Sequence, residues 1–343
     1  MNLDDISKIQ QIDQGGMLDE IKNLSSQIQS SWSFVLQQQT LNFPHINQIF
    51  FAGLSFHKNI SEILRVMVSE SNVDIFSLEN HLILPNNCAG KRNLIILLLN
   101  NENANEMKNL LNQGLERNCE IFLLFKNQSI QDNFPKGTFP NWVLNDRSFA
   151  RTTIGFDTFI LYGILHKVGL VPDITEEIHT LIKNIDKTIQ NNDFSVPIAR
   201  NPAKRLAGQM VGRWLKIVGG GLMIPVANHW SDQINQFAKA LCYSENIFHL
   251  VQHSLSGVLN PEKIAQQSML IFLKSNFNDL AIENLIDQAK IELMCNGLGT
   301  DTYSAQGDNL LSQLWTTILF GDFLAYYLAI AYECDPSPIT LLS

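Results

Sequence analysis

The feature that most limits the fold is Leu94-Ile95-Ile96-Leu97-Leu98-Leu99, an unbroken apolar run between Asn93 and Asn100. A run this short, closed by polar residues at both ends, suits a strand buried on both faces of a parallel sheet, which needs helices on either side. The surrounding segments alternate accordingly. Helical periodicity covers 18–38, with apolar residues at Leu18, Ile21, Leu24, Ile28, Trp32 and Val35. Strand-like runs lie at 48–53, 73–78 and 120–125, and helical stretches at 61–69 and 103–113. Helices are then predicted over 158–168 and 174–191, before the break Asn192-Asp193-Phe194-Ser195-Val196-Pro197. The second half repeats the theme: a helix at 202–213, a strand at 215–218, the turn Gly219-Gly220-Gly221, a helix at 230–243, a strand at 269–273 and a closing helix at 310–332. This order predicts an α/β fold in which each of two domains is a parallel β-sheet flanked by helices, with right-handed crossovers. The predicted boundaries are 1–150 for the first domain with its leading helix, 151–195 for connecting helices, and 196–343 for the second domain. A chain of 343 residues is too long for one small core.

Composition narrows the function classes. Hydrophobic residues make up 45% of the chain and charged residues 17%, enough apolar material for a large core. The net charge of −9 disfavours a broad surface for phosphate backbones, so no nucleic-acid partner is expected, and a small anion needs a local cationic or amide-lined pocket. Cys88, Cys119, Cys242, Cys295 and Cys334 are scattered and odd in number, which reads as reduced thiols in the cytoplasm. Residues 1–14 are polar and acidic and do not read as a signal peptide. The stretch 310–332 contains Ser312, Gln313, Thr316, Thr317 and Asp322, so a buried core helix is expected there and no membrane span. His249 and His253 stand at i, i+4, but no third ligand is in view, and neither a metal nor a cofactor is expected.

Three motifs carry a resemblance. They are Ala150-Arg151-Thr152-Thr153-Ile154-Gly155-Phe156, then Asn201-Pro202-Ala203-Lys204-Arg205-Leu206-Ala207, then Trp230-Ser231-Asp232-Gln233-Ile234-Asn235-Gln236-Phe237-Ala238-Lys239. With Met17-Leu18-Asp19-Glu20-Ile21, Gly169-Leu170-Val171-Pro172-Asp173 and Gly321-Asp322, they resemble the bifunctional phosphoglucose/phosphomannose isomerases, two-domain sugar isomerase (SIS) proteins. The resemblance runs from about Met17 to Leu342. It implies two SIS-type domains, a sugar phosphate or related small molecule as ligand, and a homodimer whose sites are built across the subunit interface.

Aldose–ketose isomerisation moves a proton between C1 and C2 through a cis-enediolate. A carboxylate base abstracts the proton, a fixed cation stabilises the enediolate, a histidine helps open the ring, and backbone amides with hydroxyls hold the phosphate. By the resemblance, Arg151 is the cation. Gln236 stands where the family has its catalytic glutamate, and an amide is no base near neutral pH. Lys239 matches a family lysine. Gln252 falls on the family histidine and His253 one place later, a step that turns a helical side chain by about 100°. A further family lysine, beyond Asp-Pro-x-Pro, has no match before Ser343.

The phosphate loops also depart from the family. Gly53-Leu54-Ser55-Phe56-His57 replaces Gly-Met-Gly-Gly-Ser, Leu99 to Glu106 replaces Ser-x-Ser-Gly-Asn-Thr-Glu-Glu, and Phe125-Lys126-Asn127-Gln128 replaces Thr-Ser-Gly-Gly. The candidate substrate contacts are Gly53, Ser55, His57, Asn101, Asn103, Lys126 and Lys239. Glu102 places a like charge where a phosphate would lie. Three readings stand at this point. One is a glucose/mannose 6-phosphate isomerase-family protein with a degraded active site. Another is a catalytically inactive SIS-fold sensor or partner-binding module. The third is an enzyme with chemistry re-sited on Glu102 or Glu106.

Overall fold

A computed structural model describes residues 2–53, 58–78, 83–101, 103–132, 134, 137–144 and 153–338. The first half contains α1 (Ile6–Ile12), α2 (Met17–Lys22), α3 (Leu24–Gln37), β1 (Gln48–Ala52), α4 (Lys58–Met67), β2 (Asp74–Ser77), β3 (Asn93–Leu99), α5 (Ala104–Glu116), β4 (Glu120–Phe125), α6 (Gln128–Gln131), β5 (Asn141–Val143) and α7 (Ile154–Val168). After α8 (Thr175–Asn192) come α9 (Pro202–Met210), β6 (Trp214–Gly219), α10 (Ile224–Ala238), β7 (Cys242–Asn246), α11 (Ile247–Gln252), α12 (Glu262–Gln267), β8 (Ser268–Lys274), α13 (Leu280–Cys295), β9 (Gly299–Ser304) and α14 (Leu310–Ala331). Two compact units result, Gln27–Thr175 and the combination of Met1–Ser26 with Glu176–Ser343.

In the unit Gln27–Thr175 the strands form a parallel sheet in the order β2-β1-β3-β4-β5. β3 is central, pairs with β1 and β4, and is buried along its whole length. Its unbroken apolar run follows from that position, because neither face meets water. One face packs Phe50, Leu97 and Leu123 against Leu110 and Leu111 of α5. β5 spans three residues, too short to leave a periodic signal in the sequence.

The other unit carries a parallel sheet in the order β7-β6-β8-β9. Val218, Leu270 and Phe272 share a core with Ile247 and Leu250 of α11 and Ile286, Ala289 and Leu293 of α13. Tyr303 of β9 packs its ring against Trp230 of α10 and Phe320 of α14. Side chains alternate between faces along a strand, so these two sets of helices cover opposite faces of the sheet. α10 begins earlier than the expected 230–243, with Pro225 in its first turn, where a missing N–H costs nothing. It ends at Lys239, which takes a left-handed conformation at φ 51°. The helix expected over 18–38 divides at Asn23 into α2 and α3.

α14 is the core helix of its unit: 94% of its most apolar window is buried within the chain. Its apolar circumference is therefore covered by its own chain and supplies no argument for a partner. A Cβ at Gly321 would lie 2.2 Å from the Trp230 indole, which explains why glycine sits at this crossing. Beside it, His229 Nε2 lies 2.7 Å from Asp322 Oδ1, and Gln233 Nε2 donates to the same oxygen at 3.0 Å. Burial opposes the charged ring of His229, but the Asp322 carboxylate outweighs it and holds the imidazole pKa above its ordinary value. A raised pKa stabilises the folded chain below the unfolded histidine value of about 6.5, and that contribution is lost as pH rises through the folded value. Asp322→Asn is thus expected to destabilise the chain more at pH 6 than at pH 9. Thermal denaturation of both proteins at the two pH values checks this; an equal or wider gap at pH 9 contradicts it.

Candidate active site

Parallel sheets bind ligands outside the carboxyl ends of their strands. In the unit Gln27–Thr175, that edge gathers Gly53 after β1, Asn100, Asn101 and Asn103 after β3, and Lys126 after β4. Gly53 has φ +90°, and a Cβ there would lie 2.1 Å from the Leu98 carbonyl oxygen and 3.0 Å from Asn103 Nδ2. Only glycine fits such an approach. Gly53→Ala is expected to cost about 1–3 kcal/mol, read as a lower urea midpoint; an unchanged midpoint contradicts the close approach.

Asn103, 8% exposed, faces inward. Its Oδ1 accepts from Asn100 N and its N donates to Asn100 Oδ1, both at 2.9 Å, while its Nδ2 donates to Leu98 O at 3.0 Å. The N-cap position of α5 thus spends its side chain on the strand end and gives the helix no side-chain cap. The first-turn amides and the positive end of the helix dipole remain the local anion-binding feature. Glu106, in that same turn, works against an anion. Asn101 is exposed on the loop.

Lys126 continues the sheet by donating its backbone N–H to Leu99 O at 3.0 Å. Its Nζ lies 2.6 Å from Oδ1 of Asp157, whose side chain is 5% exposed. Thr153 Oγ1 donates to Asp157 Oδ2 at 2.8 Å. Sequence reasoning missed Asp157, though a carboxylate in the first turn of the otherwise apolar α7 was a readable signal. Arg151, Ser55, His57 and Glu102 lie outside the described residues.

Gln236, Lys239 and His253 belong to the other unit. Gln236 is half-buried on the last turn of α10, and its side chain makes no hydrogen bond among the described residues. Its neighbour Asn235 ties the helix to β7, donating to Ser231 O and Cys242 O at 2.8 and 2.7 Å. Lys239 Nζ donates to Phe237 O at 3.2 Å and Asp335 O at 2.8 Å, closing the helix end against the C-terminal segment. His253 is exposed one residue past the end of α11, its ring 4.8 Å from that of His249. α10 and α11 cover opposite faces of their sheet, so Gln236 and His253 are not gathered at one place on one face.

A second feature of this unit escaped the sequence. Glu245 on β7 lies 2.7 Å from Lys216 Nζ and 2.6 Å from His249 Nδ1, and accepts from Ser254 Oγ. Burial raises the Glu245 pKa, but these donors prevail and hold it below the usual carboxylate value. The group lines a cavity of about 820 Å³ with Trp214, Tyr243 and Ile264.

Residues 199–343 match the model of the bacterial phospho-glucose isomerase C-terminal SIS domain. Over 328 residues the chain is 23% identical to a bifunctional phosphoglucose/phosphomannose isomerase of Caldicellulosiruptor bescii, covering 94% of this chain and 96% of that protein. The second half of the chain thus matches the C-terminal SIS domain of this family, and the chain over most of its length is similar to a bifunctional member. The fold of the chain is similar to a glucose-6-phosphate isomerase-like protein from Thermus thermophilus (TM-score 0.59, 16% identity, covering 98% and 95% of the two chains). It is also similar to a glucosamine-6-phosphate deaminase from Thermotoga maritima (TM-score 0.67, 12% identity, covering 95% and 98%). The SIS-family segment Asn201-Pro202-Ala203-Lys204 is built into the core of its unit. Asn201 caps α9 by accepting from Lys204 N, and Lys204 is 1% exposed.

Proposed function

We propose that this SIS protein binds a glucose or mannose 6-phosphate-like sugar and that its isomerisation of that sugar is impaired. The observation that carries this reading is Gln236. The side chain at the family's base position is a half-buried amide with no hydrogen-bond partner among the described residues. An amide neither accepts a carbon-bound proton at neutral pH nor changes charge to do so. In this reading Gly53, Ser55, His57, Asn101, Asn103 and Lys126 surround the phosphate, Arg151 faces the enediolate, Lys239 keeps its family position, and His253 stands one place past the position of the family histidine. The amides that open α5 support anion binding. The inward-turned Asn103 and the pairing of Lys126 with Asp157 argue for weak affinity. Losing two hydrogen bonds to a charged group, at roughly 1.5–3 kcal/mol each, weakens binding by more than about a hundredfold. Titration calorimetry with fructose 6-phosphate is expected to show saturable binding well above the micromolar range. Micromolar affinity sinks the weak-pocket reading, and no saturation at any concentration sinks the ligand class.

The same proposal includes a cytoplasmic homodimer. Leu241, Tyr243 and Phe248 are 55%, 50% and 47% exposed on and beside the edge strand β7, next to the His249–His253 segment. Clustered apolar side chains at an open sheet edge favour a symmetric partner. Light scattering is expected to give a dimer at micromolar concentration and a monomer for Phe248→Asp. A monomeric wild-type chain removes the dimer and any site shared between subunits. The same exposed edge is what a non-catalytic, partner-binding SIS module needs, which keeps that second reading.

A further inference from the structure

Cys88 and Cys119 are 31 positions apart in the chain, and their Sγ atoms are 3.9 Å apart. Cys88 lies in the loop that leads into β3, and Cys119 immediately precedes β4. β3 and β4 are paired neighbours, so the two thiols meet at the amino ends of these strands, the edge opposite Gly53, Asn103 and Lys126. The loop is fixed there. Arg117 Nη1 donates to Leu84 O at 3.0 Å and Pro85 O at 2.7 Å, Gly90 N donates to Arg117 O at 2.8 Å, and Leu84 N donates to Gln113 Oε1 at 2.9 Å. Cys88 is fully buried and Cys119 half-buried.

The environment separates the roles of the two sulfurs. The two thiols share one hydrogen bond, the Arg117 guanidinium favours a thiolate at Cys119, and Cys119 is the more exposed of the two. Cys88 is fully buried, which disfavours its thiolate. The thiolate is the reactive form and a reagent must reach it, so the more exposed Cys119, beside Arg117, is the attacking sulfur.

We propose that Cys119 is a thiol-modification site that reacts with low-molecular-weight disulfides, and that Cys88 resolves the adduct into a reversible Cys88–Cys119 disulfide. In the first step the Cys119 thiolate bonds to one sulfur of the small disulfide, whose S–S bond breaks and releases one small thiolate. In the second, Cys88 gives its proton to solvent, its sulfur bonds to the Cys119 sulfur, and the second small thiolate leaves. Two protein thiols are oxidised and one small disulfide is reduced to two thiols. The sulfurs must close from 3.9 Å to the disulfide length of about 2.05 Å.

The test is to incubate the full chain with oxidised glutathione at pH 8, quench with acid, alkylate, and map the peptides by mass. A linked peptide pair holding Cys88 and Cys119, reversed by dithiothreitol, is the expected result. In Cys88→Ser, Cys119 is expected to keep glutathione as a stable adduct. In Cys119→Ser, Cys88 is expected to stay free. The exposed Cys295 serves as the internal control for reagent activity. If Cys295 carries glutathione while Cys88 and Cys119 of the wild-type chain are both alkylated as free thiols, the proposal is overturned. Glutathione on Cys88 in Cys119→Ser, at the rate of Cys119 in Cys88→Ser, overturns the assignment of the attacking sulfur. The wild-type map decides the cross-link without any variant having to fold.

Discussion

Lys204→Ala is expected to destabilise the chain by about 3–5 kcal/mol, the cost of breaking a buried, fully partnered charge. The Lys204 side chain has 0% exposure. Its ammonium donates to Phe194 O at 2.8 Å, Val196 O at 2.9 Å and Asp4 Oδ1 at 3.0 Å, and lies 5.6 Å from the centroid of the Tyr327 ring. All three proton positions of the ammonium are therefore used. Removing it strands two carbonyls in the segment that follows α8 and leaves Asp4 Oδ1 with the Ile198 N–H at 2.8 Å. Each stranded acceptor costs about 1–3 kcal/mol, and the deleted stem leaves a cavity besides. Lys204→Met keeps most of the stem volume and is expected to lose less. In urea the midpoint should fall with the slope unchanged. A loss below about 1 kcal/mol contradicts the structural role.

Wild-type isomerisation of glucose 6-phosphate is expected to run roughly 100- to 10,000-fold below that of a family member with the glutamate, the usual worth of a general base. Gln236→Ala should leave the residual rate unchanged, because the amide performs no proton transfer. Gln236→Glu should raise it, since glutamate has nearly the shape of glutamine and the position is half-buried on the last turn of α10. A coupled assay with both hexose 6-phosphates reads all three proteins. A robust wild-type rate, lost in Arg151→Ala, contradicts the assignment of impaired catalysis.

Particular residues show what a sequence can reveal of such a fold. β3 was legible because a central parallel strand is dry on both faces and has no polar residue to confuse the period. α14 was legible as a core helix because Asp322, Gln313 and its threonines interrupt an otherwise span-like stretch. β7 and β9 were not legible. They are edge strands, and Cys242-Tyr243-Ser244-Glu245-Asn246 and Gly299-Thr300-Asp301-Thr302-Tyr303-Ser304 carry polar residues where a central strand is apolar. The start of α10 was displaced because Pro225 reads as a breaker unless it is known to occupy the first turn. At the site, Gly53 was legible from the loop pattern. The Lys126–Asp157 pair joins residues 31 positions apart, and nothing local in either segment specifies the other. Lys204 was legible as a motif member, whereas its three acceptors are a property of the folded chain alone.

The most direct test of the central claim is solvent hydrogen exchange into the sugar. Fructose 6-phosphate incubated with the protein in deuterium oxide acquires deuterium at C1 whenever a base on the protein removes a proton, whether or not the enediolate proceeds to an aldose. Proton NMR follows the loss of the C1 signal. The account predicts wild-type exchange roughly 100- to 10,000-fold slower than with a family member that has the glutamate, with Gln236→Ala behaving identically to wild type and Gln236→Glu exchanging faster. Rapid deuterium incorporation by the wild-type protein, suppressed in Arg151→Ala and unaffected in Gln236→Ala, contradicts it, because proton abstraction would then be intact and carried by a base other than residue 236.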